Sequence, residues 1–159
     1  MTEAAIIHAI ASPRLQTLLQ EQGYRVTVSE QNGLSQLLSA SQGIGFALRF
    51  GNPAQTKGEF VDYTMSCALR VQGDLPAGLV DTWNTSKRFA RLSVQGHFLV
   101  LEMDVILAGG VTENHLRANT ELWDRLLQEL VLFLRQYMQA QPEGGASAAP
   151  VANGEAVSA

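Results

Sequence analysis

The sequence predicts an α+β fold in which helices pack on an antiparallel sheet. The chain has 159 residues, which suits one domain with a single core. Apolar residues alternate with polar ones in several segments, as in half-buried strands, and recur at helical spacing in others. The strand-helix-strand repeat that builds a parallel sheet is absent from the pattern. The expected element order is therefore α-β-β-β-α-β-β-α, within a domain that covers residues 1–139.

The N-terminal half is expected to hold one helix followed by short strands. A proline in the first turn predicts the helix, alternating apolar residues predict strands, and an Asn-Gly pair predicts a tight turn. The expected elements are a helix from Ser12-Pro13 to Gly23, a strand at 24–28, a turn at Asn32-Gly33 and, within 34–50, two short strands broken at Ser41-Gln42-Gly43.

The C-terminal half gives clearer signals. Residues 60–71 give the cleanest alternation in the chain, which predicts a long strand with one buried side. A helix is expected from Pro76, a hairpin from 89–94 and 98–107 around Gln95-Gly96, and a last long helix after the cap residue Thr112. One face of the long strand is expected to carry Val61, Tyr63, Met65, Cys67, Leu69 and Val71. One face of the hairpin is expected to carry Ala90, Leu92, Leu99, Leu101 and Met103.

Composition argues against several classes of function. The formal net charge of −4 gives no electrostatic reason to expect a nucleic acid or membrane partner. Cys67 is the single cysteine, so no intrachain disulfide or thiolate zinc cluster can form, and the histidines lack metal-site spacing. We therefore expect a cytoplasmic protein with no metal site and no cofactor.

No signal peptide and no membrane-spanning helix are expected, and the C-terminal end has the composition of a disordered tail. Residues 4–11 are apolar but lack a basic start, so a frayed segment is expected rather than a signal peptide. The run at 126–134 is too short to span a bilayer. Residues 140–159 are rich in Ala, Gly, Ser and Pro without aromatic residues, which predicts a disordered tail, and deletion of Gln141 to Ala159 is expected to leave folding intact.

Three stretches carry a resemblance to a known family. They are Trp-Asn-Thr-Ser-Lys-Arg-Phe-Ala-Arg at 83–91, Leu-Glu-Met-Asp-Val at 101–105 and Leu-Ala-Gly-Gly-Val-Thr at 107–112. Together they closely resemble the YbjN-like family of small bacterial proteins. That resemblance implies one α+β domain, often dimeric, with a fold like that of class I type III secretion chaperones. It also implies a sensory-transduction regulator or chaperone-like protein without an established reaction.

The family offers no catalytic residues to carry over, and none is predicted. The matched positions are instead interpreted as a candidate interaction surface, which consists of Trp83, Asn84, Lys87, Arg88, Arg91, Glu102 and Asp104. Likeness of fold alone does not establish chaperone activity.

Lys87, Arg88 and Arg91 cluster between the second helix and the hairpin. Guanidinium groups in such a cluster can hold a carboxylate or phosphate by paired hydrogen bonds. The alternative is a local ion-pair network, because the expected register puts Arg91 diagonal to Glu102 on one face. We favour the network and keep the anion site as the second hypothesis.

Two other motifs have an unremarkable structural interpretation that we favour. Glu102 and Asp104 point the same way on one strand, but no third ligand accompanies them, so neither a metal site nor a catalytic pair is predicted. Residues 108–112 lead into a helix and can cradle an anion. Their spacing matches no phosphate-binding motif, so we expect a glycine turn with Thr112 as the helix cap.

The first functional hypothesis is a homodimeric adaptor or chaperone-like module that binds an unidentified polypeptide. It rests on apolar residues in excess of one core, namely Leu122, Val131 and Leu132 on the last helix and Phe89, Phe98 and Val100 on the hairpin. The second is a sensor of a small anion. Trp83 is expected to anchor its helix in the core, with an exposed partner-binding tryptophan as the alternative. No nucleophile, base and orienting group can be assembled, so an enzyme is not expected.

Overall fold

The computed structural model describes residues 5–139. The predicted tail at 140–159 lies outside the described residues. The elements in chain order are β1 (Ile6–Ile7), β2 (Ile10–Ala11), α1 (Ser12–Glu21), β3 (Thr27–Gln31), β4 (Leu34–Ser41), β5 (Ile44–Phe50), β6 (Glu59–Phe60), β7 (Asp62–Arg70), α2 (Leu79–Ser86), β8 (Arg91–Gln95), β9 (Phe98–Ile106), β10 (Val111–Thr112) and α3 (Glu113–Gln139).

Six strands form one antiparallel sheet in the order β3-β4-β5-β7-β9-β8. Two-residue turns join β3 to β4 and β4 to β5. Both turns have two successive left-handed residues, with φ of 55° and 78° at Asn32-Gly33 and of 51° and 83° at Gln42-Gly43. This is the backbone that a type I′ hairpin needs. The predicted turn at Asn32-Gly33 is confirmed, and so is the predicted break at Ser41-Gln42-Gly43, except that Ser41 is the last residue of β4.

One face of the sheet forms the core together with the helices. The buried apolar residues of α1, α2 and α3 all belong to the cluster that includes this face. Phe46 of the sheet meets Trp123 of α3 edge to face, with ring centroids 6.0 Å apart. The buried apolar sheet residues on this face are Leu37, Ile44, Phe46, Leu48, Tyr63, Met65, Cys67, Leu69, Leu92, Leu99, Leu101, Met103 and Val105.

The alternate residues of the same strands form the other face, which we call the open face. It carries the exposed charged residues Arg49, Arg70, Arg91 and Asp104. A small apolar cluster of Ala68, Val100 and Phe98 also lies there, separate from the core. Six antiparallel strands with helices on one side leave this second face for polar side chains.

The N-terminal segment is ordered, so the expectation of a frayed segment is wrong for its described residues. β1 pairs with β10, and β2 pairs with β6, both antiparallel. Ile7 and Ile10 are buried in the core. The strand partners lie about fifty and one hundred residues away in sequence, a range that local periodicity does not report.

The α+β class and the antiparallel sheet are confirmed, but the predicted element order needs correction. The structure puts four strands of the main sheet, β3, β4, β5 and β7, between α1 and α2, where the predicted order has three. The strands predicted individually for this interval, at 24–28, two within 34–50 and one at 60–71, are also four, so the predicted order left out one of them. Several boundaries shift, because β3 begins at Thr27 rather than Tyr24 and α2 begins at Leu79 rather than Pro76.

Candidate functional site

Trp83, the first residue of the predicted interaction surface, is wholly buried, with 0% of its side chain exposed. Its indole Nε1 donates a hydrogen bond to the carbonyl oxygen of Ala90 at 3.1 Å. Its ring meets Phe133 of α3 edge to face, with centroids 5.3 Å apart. These contacts confirm the predicted core role of Trp83 and place its ring beneath the surface.

Asn84, the next residue of α2, binds the backbone of the edge strand β8. Its amide Nδ2 donates to the carbonyl oxygen of Leu92 at 2.9 Å, and its Oδ1 accepts from the amide of Leu92 at 2.8 Å. A neighbouring strand would satisfy the same two groups. With the bond from Trp83 to Ala90, α2 thus seals this part of the sheet edge against another strand.

The three cations of the predicted anion site do not converge. The Lys87 ammonium lies 3.7 Å from a carboxylate oxygen of Glu129 on α3. The Arg88 guanidinium lies over the ring of its neighbour Phe89, 4.6 Å from the centroid. Arg91 points to the open face of the sheet. One small anion therefore has no common position at which all three cations meet it.

Arg91 belongs instead to an ion-pair network on the open face. It lies directly opposite Glu102 in the register, not diagonal to it as expected. Its Nη1 donates to Asp104 Oδ2 at 2.8 Å, and its Nη2 lies 3.3 Å from Glu102 Oε1. Arg49 donates to the other oxygen of Glu102 at 2.5 Å, and Thr64 donates to Asp104 at 2.6 Å. The network that the sequence favoured is present.

The network holds Asp104 in its charged form. Hydrogen bonds from Arg91, and less strongly from Thr64, lower the pKa of this carboxyl below its ordinary value, against the opposing effect of partial burial. The bond to Asp104 raises the pKa of Arg91 in turn. The sequence did not identify Arg49, because the pairing of β5 with β7 is a long-range contact.

Glu102 and Asp104 are therefore partners of arginines rather than open metal ligands. Within residues 5–139 no group of three His, Cys, Asp or Glu side chains is arranged to hold a metal ion. Cys67 is fully buried, and burial raises the pKa of its thiol to about 12. A buried thiol that stays protonated is a poor nucleophile.

The glycine segment before α3 is a turn that packs against the N-terminal strand. Gly109 and Gly110 have φ of 92° and 98°. A Cβ at Gly110 would lie 2.6 Å from Ile6 Cγ2, so the close approach of β1 requires glycine there. The Thr112 hydroxyl accepts the backbone N–H of His115 at 3.1 Å, which confirms it as the cap.

At the opposite edge of the sheet, β3 ends the strand order, and no other strand of residues 5–139 pairs with its outer side. In a two-residue hairpin the pair that flanks the turn exchanges both backbone hydrogen bonds, and bonded pairs then alternate. Gln31 and Leu34 flank the turn, so Val28 and Glu30 direct their N–H and C=O groups away from β4. Val28 is 47% exposed and Leu34 is 70% exposed.

These features define the structural class of the protein. It is an antiparallel α+β domain with one sheet edge partly sealed by a helix, one edge open, and a charged open face. A family model described as "Putative bacterial sensory transduction regulator" matches residues 13–135. The chain belongs to this family, YbjN, which is not a known enzyme family.

Searches of curated proteins and of solved structures gave no significant match. The described helices include none that is long and apolar enough to cross a membrane.

Proposed function

We propose that this protein is a non-catalytic regulatory module that binds an extended segment of another polypeptide along the β3 edge. The observation that carries the proposal is the difference between the two sheet edges. Side chains of α2 bond both outward groups of Leu92 in β8 and the carbonyl oxygen of Ala90, the residue before β8. The outward groups of Val28 and Glu30 lie on the last strand of the sheet, beside an exposed valine side chain. A peptide strand can add to such an edge.

The family description supports a regulatory role, and a protein can regulate by binding another polypeptide. Backbone hydrogen bonds along an edge give affinity that depends little on sequence. Exposed apolar residues beside the edge add to it, as Val28 and Leu34 do here. This arrangement also suits the chaperone-like role that the resemblance implies.

Proline substitutions at the two edges provide the test. Val28→Pro removes an outward N–H from β3, and Val94→Pro removes the matching N–H from β8, since Gln95 and Phe98 flank that turn. Proline is tolerated at edge positions whose N–H faces away from the ladder. We expect the wild-type chain and Val94→Pro to capture the same polypeptide from a native cytoplasmic lysate after cross-linking, and Val28→Pro to lose it.

Capture that survives Val28→Pro would rule out strand addition at β3. A wild-type chain that captures no polypeptide at all would contradict the binding module itself. The homodimer expected from the resemblance is a separate part of the proposal. Light scattering of the full chain at high micromolar concentration should give twice the mass of 17.2 kDa, and a uniform monomer would contradict it.

A further inference from the structure

The β3 edge has a notch at its N-terminal end. β3 begins at Thr27, while its partner β4 continues past Leu38, the residue opposite Thr27, to Ser41. The gap is a cavity of about 480 Å³. Its lining residues come from the segment before β3, from the first residue of β3, from β4 and from β5, and they are Gly23, Arg25, Thr27, Leu38, Ser39, Ala40 and Phe46.

The backbone of β4 is available inside the notch. Ser41 and Ile44 flank the two-residue turn at Gln42-Gly43, so the bonded pairs with β5 alternate from there. Ala40 therefore directs its N–H and C=O away from β5 and into the gap. The Ser39 hydroxyl donates to the carbonyl oxygen of Arg25 at 2.7 Å, which holds the segment before β3 beside the gap without using the Arg25 side chain.

The walls of the notch combine apolar surface with one positive charge. Leu38 and Ala40 of β4 provide apolar surface, and the fully buried Phe46 lies at the base of the lining. Arg25 is exposed. Among the described residues that line the notch, it is the one with a charged side chain. In the described part of the chain no carboxylate pairs with Arg25. The nearby Asp124 of α3 is bonded by the Ser41 hydroxyl.

We infer that the notch is the specificity pocket of the β3 edge and takes an acidic side chain of the bound polypeptide. A strand that pairs with Val28 and Glu30 continues past Thr27 and over the notch. The methylene groups of a Glu or Asp side chain then lie against Leu38 and Ala40, and its carboxylate pairs with Arg25. This inference rests on the proposed function, since it names the chemistry of the segment that β3 binds.

A second copy of the chain is the competing occupant. In an antiparallel pair of β3 strands, the exposed Glu30 of one copy approaches Arg25 of the other. However, β3 has five residues, and only Val28 and Glu30 direct groups outward. Such a contact is far smaller than the roughly 1,200 Å² or more that stable interfaces bury. A flexible segment needs no such area, because it can follow the edge and enter the notch.

The test uses a display library of random heptapeptides selected against the full chain. The baits are the wild type, Val28→Pro, Arg25→Glu and, as a control for loss of one positive charge elsewhere, Arg135→Gln on the exposed face of α3. We expect the wild type and Arg135→Gln to enrich peptides with Asp or Glu at one position. Val28→Pro should lose these peptides, and Arg25→Glu should enrich Lys or Arg at that position.

Binding of one selected peptide quantifies the contact. Arg25→Gln should weaken an Asp-containing peptide by about 1.4- to 5-fold, the range for an exposed ion pair, and leave its Asn counterpart unchanged. Peptides that require Val28 but show no acidic preference would overturn the inference and leave the proposed function intact. If no selected peptide requires Val28, both are wrong.

The same variants distinguish self-association. A wild-type dimer that is dissociated by Arg25→Glu and by Glu30→Arg, and restored by the double substitution, would show that a second copy fills the edge. That result would overturn the inference. Circular dichroism of each variant checks its folding, and Arg25→Gln serves if the charge reversal does not fold.

Discussion

Asn84 binds Leu92 through both ends of its side-chain amide, at 2.8 and 2.9 Å, and so replaces a neighbouring strand at the edge of the sheet. The two residues lie eight positions apart, across the junction between α2 and β8. One side chain therefore both attaches the helix and closes the strand. Asn84 belongs to the family-like block at 83–91, and the sequence suggested it as part of an interaction surface. In the structure it has a structural role instead.

Asn84→Ala should destabilise the domain and expose the β8 edge. The substitution leaves the N–H and C=O of Leu92 without partners, which costs about 1–3 kcal/mol for a group removed from water. Urea unfolding measures this loss, and light scattering on storage should detect association through the freed edge. Asn84→Asp keeps the acceptor for the Leu92 amide, so its stability should lie between those of the wild type and Asn84→Ala. An unchanged urea midpoint in Asn84→Ala would show that water replaces the amide at no cost.

Local sequence patterns predicted the elements of this region but not the contact. The alternation in 89–94 and 98–107 predicted the hairpin, and the helical spacing of Leu79 and Trp83 predicted the buried side of α2. Asn84 follows no apolar period, and its role depends on the angle at which α2 returns along β8. That angle is a tertiary property, and the Trp83 ring packs against Phe133 of α3, which is distant in sequence.

The open-face network should make a pH-dependent contribution to stability through Asp104. Its folded-state pKa is lowered, so the stabilisation is complete above the unfolded pKa of about 3.9 and is lost as the pH falls through the folded value. Asp104→Asn should cost about 0.2–1 kcal/mol near neutral pH, because the side chain is half exposed. The difference from wild type should vanish at lower pH. Asp74→Asn, an exposed acid in a loop, is the matched control.

Urea unfolding of both variants at neutral and acidic pH gives the comparison. The raised pKa of Arg91 contributes below its unfolded value and is lost only at far more alkaline pH, so it leaves the acid range unaffected. An Asp104→Asn penalty that persists at acidic pH would mean that the carboxylate charge is not the cause.

The candidate surfaces were less predictable than the fold because they depend on strand order. The sequence places Arg91, Glu102 and Asp104 together, since one hairpin carries all three. Arg49 and Thr64 join them only because β5 and β7 continue the sheet beside β9. The open edge at β3 likewise follows from strand order and not from local pattern, and no sequence signal marks Val28 as an edge residue.

Phe89 is the second residue of the block with an unexpected role. Its φ is 79°, in the left-handed region that favours glycine, and 59% of its side chain is exposed. Phe89→Gly should therefore stabilise the domain by about 1 kcal/mol, because it relieves a conformation that costs L-residues about 1–2 kcal/mol. Phe89→Ala keeps the Cβ and should give no gain. Thermal unfolding of the two variants decides, and a lower melting temperature for Phe89→Gly would show that the ring stabilises the fold.

Trp83 should be the most costly single truncation in this block. Its ring is fully buried against Phe133, and its Nε1 satisfies the carbonyl of Ala90. Trp83→Ala should cost about 3–5 kcal/mol, a large share of the 5–15 kcal/mol that holds a domain together. Trp83→Phe keeps most of the apolar contact, loses the hydrogen bond and should cost less. The exposed Phe89→Ala is the control for loss of an aromatic ring without a cavity. If the dependence of the unfolding free energy on urea concentration is unchanged, the shift in urea midpoint reports the change in stability. A Trp83→Ala midpoint close to that of the wild type would contradict the core assignment.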